Sequence, residues 1–278
     1  MPLLHTSTSN QLAPTNPEQA RSQTQHRHRS PVLWPWTLVV AAWTVALVAV
    51  LTNQGYLINH HYLLEDSHLP WLAALFVFLA CWQVMTVGMM LPSSMPMVSM
   101  VVHAGRQQSR PHAVPAAFLA GYAVVWTAFA LVAFLNDTLI HWLVDHWWWL
   151  YTHSWVIGAT TFALAGAFQF SPLKRRCLKQ CSSPFGFFMR YYRKGEGAAW
   201  RLGLRHGAFC LGCCWALMLV MFGIGIGSLV WMAVLTGVMV VEKTAPFGQR
   251  LSPVIGIILL GLSALWLAHP VWLLAPGI

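Results

Sequence analysis

Charged side chains are scarce in this 278-residue chain. They make up 8% of it, where a soluble globular domain carries about 25%. A surface that meets water on all sides cannot be built from so few, and the 57% hydrophobic content with 16 Trp points the same way. That composition excludes disorder, collagen, a coiled coil and a disulfide-stapled secreted module as descriptions of the whole chain. Also missing are a P-loop, a G-x-G-x-x-G opening a helix, a G-x-S-x-G elbow and an H-E-x-x-H zinc motif. An ATP-driven pump within this chain alone is thereby excluded. No hydrolase site is visible, and no residue is assigned a catalytic role.

What the chain does hold is apolar runs on the scale of a bilayer crossing, ~17–25 residues. Seven can be placed, at 34–52, 70–91, 115–135, 154–171, 206–226, 228–242 and 252–269. The sixth is short and follows the fifth through Gly223-Ile224-Gly225-Ile226-Gly227-Ser228. It either continues past Glu242 or forms half of a re-entrant hairpin. Every backbone group in hydrocarbon needs an internal partner, so helices are expected rather than sheet. The expected fold is an all-α, polytopic transmembrane helix bundle of six or seven spans over residues 34–278. A disordered tail over 1–33, rich in Ser, Thr, Gln, Asn and Pro, precedes it.

The basic residues orient the bundle. Arg21, Arg27 and Arg29 precede the first span, Arg106 and Arg110 follow the second, and Lys243 and Arg250 follow the sixth. The other nine, Lys174 to Arg205, lie between the fourth and fifth spans. With seven spans all 16 fall on one side, while the other side holds Glu65, Asp66, Asp137 and Asp145 without a Lys or Arg. The positive-inside rule then makes the N-terminus cytoplasmic, with the basic loop 172–205 beside it, and places the C-terminus outside. The net charge of +9 is thereby topogenic and calls for no nucleic-acid partner. In the loop, Phe185, Phe187, Phe188, Tyr191 and Tyr192 alternate with Arg190, Arg193 and Lys194. That pattern suits a basic amphipathic stretch on the anionic lipids of the inner leaflet.

Five of the six Cys gather near this side: Cys177 and Cys181 in the loop, and Cys210, Cys213 and Cys214 at the start of the fifth span. In a reducing compartment metal or redox chemistry is a better reading than structural disulfides. On a helix His206, Cys210, Cys213 and Cys214 fall within about 100° of arc, and the same stripe continues to Met218 and Met221. Imidazole, thiolates and then thioethers form a donor set suited to a soft cation such as Cu(I). Cys177-x3-Cys181 could fold back to complete the site. In the second span Met85 and Met89 share a face and could line the same path. Pro92 is expected to kink or end that helix, with Ser93 and Ser94 satisfying the freed carbonyls. Packing is the plain alternative for each sulfur residue, since Cys and Met fill irregular gaps.

Glu242 and Lys243, charged at a membrane boundary, allow three readings: a relay, a partner for the basic loop, or an interfacial pair. On the other side, Asp137, His141 and Asp145 recur at i, i+4, i+8, with His146 and His153 following and His60, His61 and His68 in a second loop. They offer either a metal landing site or, with Trp142, Trp147, Trp148 and Trp149, an aromatic belt.

The blocks Met89-Met90-Leu91-Pro92-Ser93, Ser171-Pro172-Leu173-Lys174 with Cys177-x3-Cys181, Ser183-Pro184-Phe185-Gly186, His206-Gly207, Cys210-Leu211-Gly212-Cys213-Cys214-Trp215 and Glu242-Lys243 occur together. Over roughly residues 70–268 the chain resembles a bacterial family of predicted metal-binding integral membrane proteins whose domain has no established function. The resemblance implies grouping His206 with the five Cys, and implies no mechanism.

The function expected from these residues is transition-metal binding in a membrane. The metal would be Cu(I), with Zn as runner-up, handled by a permease, membrane metallochaperone or assembly factor. His206, Cys210, Cys213 and Cys214 would be primary ligands, Cys177 and Cys181 would capture or deliver metal, and Met218, Met221, Met85 and Met89 would form a transmembrane route. The alternatives are a membrane thiol–disulfide oxidoreductase and a non-catalytic subunit bound to other membrane proteins.

Overall fold

A computed structural model of the chain describes residues 33–52, 70–153, 155–224 and 229–268. The tail, the loop with Glu65, Asp66, His60, His61 and His68, and the end of the Gly223–Ser228 turn lie outside the described residues. Regular structure among the described residues is entirely helical. In chain order the helices are α1 (Leu33–Leu51), α2 (Trp71–Gly105), α3 (Ala113–His146), α4 (Trp148–Thr152) and α5 (Trp155–Gln169). They continue with α6 (Pro172–Cys181), α7 (Pro184–Tyr191), α8 (Glu196–Ile224), α9 (Leu229–Thr244) and α10 (Gly248–Ala268). Over its described residues, each of the seven apolar runs falls on one of these helices to within two residues. Five of them, α1, α2, α3, α8 and α10, are long and apolar enough to cross a membrane. Counting α5 and α6 as one span broken by a 67° bend makes six. At 16 residues, α9 is shorter than a full crossing.

The bend between α5 and α6 follows from local chemistry. The Ser171 hydroxyl accepts a hydrogen bond from the Lys174 backbone N–H at 3.1 Å, capping α6. Pro172 occupies the first helical position, where a missing N–H costs nothing. Ser183 and Pro184 restart the chain as α7 in the same way, though without a side-chain cap. Within α6 the buried residues are Lys174, Cys177, Leu178 and Cys181. That i, i+3, i+4, i+7 spacing defines one helical face, and it leaves Arg175, Arg176 and Lys179 exposed.

One expectation is corrected in α2. Pro92 and Pro96 lie inside a continuous 35-residue helix, so Pro92 does not end it. Proline at position 92 deprives the Gly88 carbonyl of its helical donor. The Trp43 indole of α1 supplies one instead, at 3.2 Å. Ser93 does not do so; it hydrogen-bonds the Met90 carbonyl at 2.8 Å. A vacancy in one helix thus fixes the docking of its neighbour.

α8 is the axis of the bundle. In its most apolar window 56% of residues are buried, against 22% for the peripheral α1. α3 packs along it at close range. A Cβ on Gly203 would collide with the backbone carbonyl of Phe118, and one on Gly121 with that of Trp200. Small residues at a helix crossing permit this approach. Gln83 of α2 ties to α3 through Thr127 Oγ1 at 2.6 Å, and Ser263 of α10 donates to the Ala159 carbonyl of α5 at 2.7 Å. Outward faces carry large apolar side chains, among them Val40, Phe76, Val132, Val230 and Ile257, each more than half exposed.

Candidate metal site

Four helices converge on the Cys-rich stripe of α8. Cys210, Cys213 and Cys214 are fully buried there, with Met218 and Met221 further along the same core. The Cys213 and Cys214 thiols turn back onto the Cys210 carbonyl, at 3.0 and 2.8 Å. From α6, Cys181 Sγ comes within 3.9 Å of Cys213 Sγ. From α2, Met90 Sδ lies 3.6 Å from Cys214 Sγ. Lys243 of α9 points its ammonium among them, 3.2 Å from Cys210 Sγ and 3.1 Å from Ser93 Oγ. The same nitrogen is 4.0 Å from both Cys214 Sγ and Met90 Sδ. Tyr122 of α3 closes the group, its hydroxyl 3.1 Å from Cys210 Sγ.

The remaining expected residues take distinct places. Cys177 lies against α8 one turn from the cluster, where a Cβ on Gly212 would sit 2.6 Å from its sulfur. Glycine at 212 therefore allows α6 to lie flat on α8. His206 stands in an aromatic box of Phe118, Tyr122 and Phe187, its ring centroid 5.7–5.8 Å from theirs. Its Nε2 is buried with no hydrogen-bond partner. Met85, Met89, Met218 and Met221 are buried in one apolar core that also holds Met232 and Met239. On the opposite side, His141 Nε2 and Asp137 Oδ2 are 3.8 Å apart. His146 and His153 stack on Trp142 and Trp149.

Glu242 resolves into one of its three readings, the partner for the basic loop. Its carboxylate accepts two hydrogen bonds from Lys174 Nζ, at 3.0 and 2.8 Å, and one from Ser252 Oγ at 2.8 Å. This buried pair locks α6 to α9 and thereby holds Cys181 and Lys243 in register. Sequence reasoning had missed Met90, Tyr122 and the central place of Lys243. Charged residues at 242 and 243 beside an apolar run were the available signal, since a charge buried there needs a partner, which Glu242 finds in Lys174 and Lys243 in the sulfur cluster.

The described residues contain no group of three His, Cys, Asp or Glu already arranged to hold a metal ion. The donors are nevertheless chemically matched: thiols and a thioether, shielded from water, are soft ligands. The profile of a family described as a copper chaperone, PpoB2, matches residues 79–266, about two thirds of the chain. The chain belongs to this copper chaperone family. Neither the curated proteins nor the solved structures contain a match. Where the resemblance in the sequence implied a metal-binding family without a function, the matched family adds copper handling. The matched interval runs from α2 to α10 and so includes every helix that contributes to the sulfur cluster.

Proposed function

We propose that this chain is a membrane metallochaperone that holds Cu(I) between Cys210, Cys214, Cys213, Cys181 and Met90 and passes it to an acceptor protein. The observation that carries the reading is the convergence of five sulfurs from α2, α6 and α8 at one buried place. Two or three soft donors suffice for a monovalent copper ion, and thioether participation favours copper over zinc, for which methionine is a poor ligand. Zinc remains the runner-up metal. His206 and Cys177 flank the cluster and serve as capture or delivery ligands. Met85, Met89, Met218 and Met221 form a deeper apolar tier, available as a second station for the ion.

The setting we infer is a bacterial inner membrane with the N-terminus and the sulfur cluster on the cytoplasmic side. With α9 taken as a seventh crossing, the one-sided distribution of Lys and Arg supports this. α7, which exposes Phe185 and Met189 beside Arg190, would rest on anionic inner-leaflet lipids.

Elemental analysis by plasma mass spectrometry tests the site on purified wild type and on Cys210→Ser/Cys214→Ser. About one copper per chain, lost in the double variant, is the expected result for a soft-donor site. Zinc in place of copper would transfer the site to the runner-up metal. No metal in an anaerobic preparation, even after loading with Cu(I), would refute the reading and bring thiol chemistry between Cys181 and Cys213 to the front.

A further inference from the structure

Lys243 has a position that copper binding alone does not require. Its ammonium is buried at the focus of Cys210, Cys214, Met90 and Ser93. Glu242, next in the chain, cannot neutralise it, because both carboxylate oxygens are engaged by Lys174 and one also by Ser252. A monovalent cation on a four-carbon tether therefore stands among the same donors that a Cu(I) ion would take. Beside it opens a cavity of about 220 Å³ lined by Ser93, Ser94, Met97, Cys181, His206 and Lys243. The cavity offers hydroxyls and an imidazole to an ammonium that leaves the sulfurs, and a flexible lysine stem can make that move.

We propose that Lys243 is a tethered surrogate cation: it occupies the copper position in the empty site and swings into this cavity when the ion arrives. The inference rests on the copper site proposed above. Loading is then an exchange of one positive charge for another beside the Cys210 sulfur: the lysine keeps its proton, and the Cys213 or Cys214 thiol that joins the ion releases its own to water. The thiolate that the ion takes over is not left uncompensated, and the displaced ammonium carries its charge into a cavity whose lining includes the exposed Thr244, where water reaches it. The return of the ammonium also competes with copper, which suits an ion held for delivery rather than storage.

Two measurements on the detergent-solubilised full chain test this, with Cu(I) as the added metal. Amine-reactive labelling of wild type, read by mass spectrometry, should rise at Lys243 on addition of Cu(I) and stay constant at Lys174. In competition with bicinchoninate, Lys243→Gln should bind Cu(I) tighter by roughly tenfold or more, equivalent to ~1.4 kcal/mol, and release it more slowly. Unchanged labelling of Lys243, or a Lys243→Gln affinity equal to or weaker than wild type, would overturn the proposal. Should Lys243→Gln fail to fold, the labelling of wild type decides alone. Failure of the copper site itself looks different: wild type takes up no Cu(I), or Cys210→Ser/Cys214→Ser retains it, and both proposals then fall.

Discussion

The Lys174–Glu242 pair supplies the most demanding test of this fold. Both side chains are removed from solvent, at 0% and 2% exposure, and the carboxylate has three hydrogen bonds in all. Lys174→Met keeps most of the side chain's length and removes its charge, leaving Glu242 buried with Ser252 alone. Breaking a buried pair from one side costs about 3–5 kcal/mol, because the surviving charge is uncompensated. Replacing both partners is a different matter: Lys174→Met/Glu242→Leu should fall within ~1 kcal/mol of wild type or exceed its stability. Unfolding followed by tryptophan fluorescence in mixed micelles gives the three free energies and the coupling between them. A single variant costing under ~1 kcal/mol, the value of an exposed pair, would refute the reasoning. Strict additivity in the double variant would refute it as well. Because the pair holds α6 against α9, the single variant should also weaken Cu(I) binding through displacement of Cys181.

Other consequences can be checked with the same preparation. Met90→Leu should lower Cu(I) affinity by roughly tenfold, or ~1.4 kcal/mol, while Met189→Leu on the exposed face of α7 leaves it close to wild type; competition titration separates them. Trp43→Phe should cost ~1–1.5 kcal/mol by stripping the Gly88 carbonyl of its donor, and less in a Pro92→Ala background, where the restored N–H takes over. Gly203→Val, which drives a side chain into the Phe118 backbone, should destabilise by ~3 kcal/mol or prevent folding. Gly237→Ala meets no atom within 4 Å and should stabilise by about 0.5–1 kcal/mol; unfolding midpoints compare the two.

Local composition was enough to place the helices, because hydrophobic length is a property of a contiguous run. The seven apolar stretches each recur as a helix, although Gly105, His146 and Glu196 extend three of them well beyond the apolar core. The fourth apolar run ends at residue 171, but the capped helix start that Ser171-Pro172 encodes emerges only in the structure. The sulfur stripe on α8 could be read from 3.6-residue periodicity alone. That periodicity identifies a face but not what the face meets. In α2 the i, i+4 pattern drew attention to Met85 and Met89, yet Met90, 100° around the helix from Met89, is the residue that reaches Cys214.

The sequence alone thus determined an all-helical apolar bundle with a cluster of soft donors near its basic end. Only the tertiary structure decided which donors share a site, since Met90 and Cys214 are 124 residues apart and Lys174 and Glu242 are 68 apart. Those pairings depend on how closely helices approach, on Gly121 and Gly203 along α3 and α8 and on Gly212 beneath Cys177. They depend also on a buried charge finding its counterpart once water is gone. Periodicity repeats along one helix, whereas a site is an intersection of several, and the angles and heights at which they cross are set by packing.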